Sequence, residues 1–161
     1  MITTLPITNK VRIALELSHW MVWWQRYYYV KTDYILFHVI SLESIESVLR
    51  NIQIDPWAIR TEIKDSLRQG DAKLVGIGGR FPYTKQAKKS IDFAHEEAYG
   101  FGSRSIDEHH VFLGLLREKF GRAGKILRKH GIEYETIKAE IKRFLENPVS
   151  SEPPCKLNVG W

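Results

Sequence analysis

The sequence has little cysteine and no long apolar run, and both shortages narrow the class of protein. A single cysteine, Cys155, among 161 residues excludes an internal disulfide. It fits a reducing compartment and predicts a cytoplasmic location. The longest apolar runs, such as those at residues 21–24 and 35–40, are far shorter than the ~20 residues that a membrane-spanning helix needs. No basic segment followed by an apolar one occurs at the N-terminus, so no secretory signal is predicted.

The sequence also lacks a dense cluster of positive charge. Its 24 basic and 19 acidic residues give a net charge of +5, but the two signs are largely interleaved. A positive balance favours encounters with acidic partners, whereas a nucleic-acid interface would concentrate lysine and arginine on one face. Nucleic-acid binding is therefore kept only as an alternative function, and binding to a membrane is not expected.

No arrangement typical of an enzyme or a metal site is present. The glycine-rich stretch at residues 76–79 is followed by Arg80, not by the Gly-Lys-Ser/Thr of a Walker loop. His109 and His110 are adjacent, and neighbours on a helix diverge by about 100°, so they do not easily share a metal ion. We predict no catalytic residue, no metal and no cofactor.

The chain contains an internal repeat. Residues 8–19 align with residues 84–95 at an offset of 76, and residues 47–63 align with residues 125–141 at an offset of 78. Apolar residues in each copy recur at helical spacing, and no segment shows strand alternation. The sequence predicts an all-α protein of about eight helices, four in each copy. The predicted boundaries are a first repeat at 1–68, a linker at 69–83, a second repeat at 84–146 and a flexible tail at 147–161.

Capping residues mark the predicted starts of several helices. Thr8 and Thr84 precede the first helix of each copy, where a hydroxyl would accept a hydrogen bond from a free amide of the first turn. Thr32 and Asp107 are predicted to cap the short second helix of each copy. Asp55, followed by a proline, is predicted to cap the fourth helix of the first copy.

Three stretches of the second copy resemble a known family: FPYTKQAKKSIDFAHEEA, HHVFLGLLRE and AGKILRKHGIEYETIKAEI. They resemble the Clp repeat, the N-terminal domain of Clp-type AAA+ unfoldases such as ClpC and ClpA. The resemblance extends over roughly residues 7–146. It implies two four-helix repeats related by a pseudo-twofold axis, and a role in receiving substrates or adaptor proteins for an ATP-driven ring.

No AAA+ module is found in the 161 residues, so the resemblance implies a free-standing, non-catalytic N-domain. Such a domain would act as an adaptor, an accessory subunit or a client-recognition domain in Clp-linked proteolysis or chaperoning. Its expected partner is a protein, namely a Clp-type unfoldase, an adaptor or a client. A diverged domain that forms a homodimer is a further alternative.

Some Clp repeats recognise phosphoarginine, and the resemblance implies a candidate pocket of this type. In the family a carboxylate holds the guanidinium, while a hydroxyl and helix N-terminal amides hold the phosphoryl group. Because His109 stands at the acidic position of the second copy, we expect recognition to be lost there. In the first copy, which keeps Asp33, the same residues either retain it or serve only as helix caps. The candidate positions are Thr8, Thr32, Asp33, Thr84, Glu108 and His109.

The segment MVWWQRYYYV, residues 21–30, is aromatic where the second copy is polar. Trp20, Met21 and Trp24 correspond to Glu96, Glu97 and Gly100, and the three tyrosines correspond to Ser, Arg and Ser. With Ile13, the first three add a second apolar stripe to the first helix. Glu96 and Glu97 are interpreted as solvated charge on a polar helix face.

Three interpretations of this aromatic stretch remain open. It could be buried against the linker or the tail, form a surface for a partner or a second copy, or stack on nucleic-acid bases. An apolar surface is rarely left in water, and Trp, Tyr and Met are enriched at binding hot spots. We favour a protein-binding patch that consists of Trp20, Met21, Trp24, Tyr27, Tyr28 and Tyr29.

Overall fold

The computed structural model describes residues 4–67 and 80–147, which form eight α-helices and no named strand. The all-α prediction is confirmed. Most of the predicted linker, the stretch at 76–79 and almost all of the predicted tail with Cys155 lie outside these residues. None of the described helices is both long and apolar enough to span a bilayer. The first four helices are α1 (Asn9–Gln25), α2 (Thr32–Val39), α3 (Glu43–Asn51) and α4 (Pro56–Ser66), followed by α5 (Lys85–Gly100), α6 (Glu108–Arg117), α7 (Arg122–Lys129) and α8 (Tyr134–Glu146).

The helices reproduce the two repeats in matching order. Helices α5 and α6 begin 76 residues after α1 and α2, and α8 begins 78 residues after α4. The repeats contact each other through a symmetric pair of backbone links. The amide of Thr8 donates to the carbonyl of Ile106, and the amide of Thr84 donates to the carbonyl of Val30, both at 3.0 Å. Each repeat therefore pairs the segment before its first helix with a loop of the other, as a pseudo-twofold axis requires.

Most of the predicted caps form. The hydroxyls of Thr8 and Thr84 accept hydrogen bonds from amides of the first turns of α1 and α5, at 3.4 and 3.2 Å. Asp55 caps α4 through the amide of Trp57 at 3.0 Å. Asp107 accepts from two amides of α6 and forms a reciprocal capping box with His110.

The predicted cap at Thr32 is wrong. Helix α2 has Lys31 at the N-cap position, with no side-chain capping bond. Thr32 is buried instead, and its hydroxyl accepts a hydrogen bond from the amide of Ala123 at the start of α7, at 3.1 Å. The hydroxyl caps a helix of the other repeat because the N-termini of α2 and α7 meet where the repeats pack together.

The repeats differ where their first two helices cross. A Cβ atom on Gly114 of α6 would lie 2.2 Å from the carbonyl oxygen of Ser90 and 2.8 Å from the amide nitrogen of Ala94. The backbones of α5 and α6 are thus in direct contact. His38 of α2 occupies the corresponding place in the first repeat, where burial, aided by the nearby charge of Arg60, lowers its pKa to about 4. Because the first repeat has the imidazole of His38 where the second has only the hydrogen atom of Gly114, α1 packs less closely on α2 than α5 does on α6.

Candidate functional site

Helix α1 carries an exposed apolar row, which we call the α1 stripe. Its members are Ile13, Leu17, Trp20 and Trp24, with 58, 43, 66 and 71 % of their surface exposed. They are separated by four, three and four positions, which places them on one face of the helix. The stripe is about 16 Å long at a rise of 1.5 Å per residue. The opposite face of α1 is buried through Val11, Ala14, Ser18 and Val22.

The structure separates the predicted aromatic patch into an exposed and a packed part. Trp20 and Trp24 belong to the α1 stripe, and Tyr28 and Tyr29 beyond the helix are 55 and 52 % exposed. Met21 and Tyr27 are half-buried and pack against the core. The Tyr27 ring lies 6.3 Å from that of Tyr34, with the Lys31 ammonium 3.8 Å from its centre.

The equivalent face of α5 is covered by a charged side chain. Phe93 stands at the position of Leu17, and the Arg117 guanidinium of α6 lies 4.2 Å from the centre of its ring. Arg117 also pairs with Glu96 at 2.7 Å and with Glu97 at 2.8 Å. The residue at its position in the first repeat is Ser41, whose hydroxyl donates to the carbonyl of Phe37. The first repeat therefore lacks the side chain that covers this face in the second.

The interpretation of Glu97 as solvated charge is wrong. Its side chain is 2 % exposed and contacts three groups, whereas that of Glu96 is 60 % exposed. Besides Arg117, Glu97 accepts from the Tyr134 hydroxyl at 2.6 Å and lies 3.0 Å from the Lys138 ammonium. Burial alone would raise the pKa of this carboxyl, but the hydrogen bond from Tyr134 and the paired Lys138 ammonium outweigh it and hold the pKa below the usual value.

The candidate phosphoarginine residues of the second helices lie between the repeats. Thr32 and Asp33 begin α2 and face the start of α7, where Arg122 Nε is 3.9 Å from Asp33 Oδ2. Glu108 begins α6 and accepts from the Ser44 hydroxyl at 2.7 Å. His109 beside it is buried.

The carboxyl of Asp33 is buried and only partly paired. Burial raises its pKa, with the Arg122 charge opposing. Its second oxygen has no hydrogen-bond partner among the described residues. Thr8 and Thr84 serve as helix caps in this structure, and phosphoarginine binding at this set of residues stays a prediction.

A half-open cavity of about 320 Å³ lies between α2 and α4, and sequence analysis did not find it. Trp57 on its rim is 71 % exposed, and the Arg60 guanidinium lies 4.8 Å from the centre of the Phe37 ring. Trp57 corresponds to Glu135 of the second repeat, so the comparison of copies that selected Trp20 would have selected it too. The cavity is lined by Phe37, Trp57, Arg60, Thr61, Lys64 and Asp65.

Metal-binding chemistry has no support in residues 4–67 and 80–147. No group of three or more His, Cys, Asp or Glu side chains in these ranges is arranged to hold an ion. Two of the histidines have structural contacts instead: His110 completes the cap of α6, and His19 bonds to the Tyr83 hydroxyl at 3.1 Å.

Comparison with known proteins identifies the class. Residues 82–159 match the family model for the Clp repeat (R) N-terminal domain. The chaperone protein ClpC of Pisum sativum chloroplasts is 28 % identical over 130 residues, which cover 76 % of this chain and 13 % of that protein. The chain thus spans less than one sixth of this relative's length.

Solved structures show the same fold across both repeats. The Hsp104 N-terminal domain from Candida albicans superimposes with a TM-score of 0.73 at 12 % identity, covering 87 % of this chain and 91 % of that one. The N-terminal domain of ClpD from Arabidopsis thaliana gives a TM-score of 0.66 at 16 % identity, covering 91 % of this chain and 98 % of that one.

The fold is therefore that of a Clp N-domain, an all-α double repeat. Within that class, the family model for the Clp repeat (R) N-terminal domain matches residues 82–159, and the chain's relatives are similar to it through the N-domains of ClpC and ClpA.

Proposed function

We propose that the chain is a non-catalytic protein-binding module that uses the α1 stripe to hold a client or an adaptor in Clp-linked proteolysis or chaperoning. The relatives it resembles include a chaperone protein ClpC and homologues of the ClpA ATP-binding subunit of the Clp protease. The proposal extends the role of these proteins to this chain through their shared N-domain.

The observation that carries this proposal is the difference between two equivalent helix faces. Arg117 and its two carboxylate partners cover the α5 face, whereas two indoles stand about two-thirds exposed on α1. The fold does not need an apolar residue at these places, because the second repeat folds with Glu96 and Gly100 there. Exposed tryptophans that folding does not require are typical of binding hot spots.

The double variant Trp20→Glu/Trp24→Glu tests the proposal. Wild type is expected to bind fluorescein-labelled, reduced and carboxymethylated lactalbumin, a permanently unfolded protein, with a saturable rise in anisotropy. The double variant should weaken that binding by about tenfold or more, since a hot-spot tryptophan contributes about 2 kcal/mol or more. The thermal melting midpoint should change little, because both side chains are mostly exposed.

Phe120→Glu is the matched control. Phe120 is 72 % exposed on the loop between α6 and α7 and lies outside the stripe, so the same change in chemistry should leave the affinity unaltered. Equal binding by wild type and the double variant, or no binding by wild type, would contradict the proposal. A wild-type mass that doubles with concentration in light scattering, but not in the double variant, would identify a second copy as the occupant.

A further inference from the structure

Arg60 of α4 occupies a position whose counterpart in the second repeat is paired with an acid. That counterpart is Lys138 of α8, 78 residues later, and its ammonium lies 3.0 Å from the buried carboxylate of Glu97. The residue at the place of Glu97 in the first repeat is Met21. The first repeat thus has the cation without the carboxylate.

The charge of Arg60 has no acidic partner among the residues that the structure describes. Among residues 4–67 and 80–147 no carboxylate lies within ion-pair distance of its guanidinium, which stacks on Phe37 at 4.8 Å. Lys64 lines the same cavity, and Asp65 is the one described acid in its wall. The cavity therefore presents a net positive wall beside the exposed ring of Trp57.

The cavity and the α1 stripe are connected through α2. The His38 ring of α2 packs edge-on against Phe37 in the cavity wall, with 5.3 Å between ring centres, and α2 itself packs against α1. One segment of a partner could therefore lie on the stripe and reach the cavity.

We propose that the partner supplies the missing carboxylate: an Asp or Glu side chain enters the cavity and binds Arg60, while neighbouring apolar residues lie on Trp57 and the α1 stripe. This inference rests on the proposed function and names the chemistry of the partner, an apolar peptide segment that carries an acid. A planar guanidinium held against an aromatic ring offers two parallel N–H donors to a carboxylate. The partly enclosed setting strengthens that pair relative to one on an open surface.

Selection from a random library of 12-residue peptides displayed on phage tests this proposal. Against wild type, the selected peptides should be enriched in Leu, Phe, Trp or Ile, and should carry Asp or Glu at about three times the library frequency or more. Against Arg60→Glu, the apolar enrichment should remain and the acidic enrichment should disappear. Lys88→Glu makes the same charge change at an exposed site on α5, and should select the same acidic peptides as wild type.

One selected peptide then allows the pair to be measured directly. Arg60→Gln should weaken its binding about tenfold, the size expected of a partly enclosed charge pair. Replacing the peptide's Asp or Glu with Asn or Gln should weaken its binding to wild type by the same factor. The same replacement should weaken binding to Arg60→Gln little further, because the charge pair is already absent there. Apolar enrichment without acids would overturn this inference and leave the proposed function intact. If peptides selected against wild type show neither apolar nor acidic enrichment, this inference and the proposed function are both overturned.

Discussion

Gly114→Ala is expected to lower the free energy of unfolding by about 3 kcal/mol, the upper end of the usual cost of overpacking a core. The added methyl group would lie 2.2 and 2.8 Å from backbone atoms of α5, and a backbone inside a helix cannot rotate away as a side chain can. Helices α5 and α6 must therefore separate, which loosens the most closely packed crossing in the fold. Urea denaturation followed by circular dichroism at 222 nm measures the loss.

Gly100→Ala is the matched control for this prediction. Gly100 ends α5, has no atom within 4 Å of an added Cβ and does not have a positive φ. Alanine there should leave the stability unchanged or raise it by about 0.5–1 kcal/mol, because it restricts the unfolded chain. Equal denaturation midpoints for the two variants would mean that α5 and α6 are not in backbone contact.

Glu97→Met, which places the first repeat's residue in the second, is expected to cost about 2–3 kcal/mol. Removing the carboxylate leaves Arg117, Tyr134 and Lys138 without their shared acceptor. The partial exposure of both cations keeps the loss below that of a fully buried broken pair. The variant's denaturation midpoint at pH 7, compared with wild type, measures this loss.

The cost of Glu97→Met should depend on pH in a defined direction. Because the pKa of Glu97 is lowered in the folded protein from its unfolded value of 4.5, its stabilisation is complete above that value and is lost as the pH falls through the folded pKa. The difference between wild type and variant should therefore shrink below about pH 4. Glu96→Met, at a carboxylate 60 % exposed, should cost less than about 1 kcal/mol. A loss for Glu96→Met as large as that for Glu97→Met would contradict the central role given to Glu97.

Local signals in the sequence were enough to predict the helices and most of their caps. Periodic apolar residues and an N-cap hydroxyl act within one turn, so Thr8 and Thr84 could be assigned without knowing the tertiary fold. Thr32 could not, because the amide that its hydroxyl meets lies 91 residues away on α7. The burial of Glu97 was missed for the same reason, since its partners are on α6 and α8.

The candidate surface could be predicted in part, because the second repeat shows which residues folding alone requires. This comparison identified Trp20 and Trp24, both of which are exposed on α1. It could not show that Arg117 covers the equivalent face, because that contact crosses from α6 to α5. It also could not separate Met21 and Tyr27 from the exposed aromatics, since their packing depends on how α1 meets the core.

The account's central claim is that the α1 stripe, and not its counterpart on α5, binds protein. Nuclear magnetic resonance of the ¹⁵N-labelled chain during titration with the unfolded lactalbumin measures this directly. We predict that the largest changes occur at the amides of Ile13, Leu17, Trp20 and Trp24 and at the two indole N–H signals, with little change at Lys89, Phe93, Glu96 and Gly100. Changes centred on α5, or spread equally over both helices, would contradict the claim.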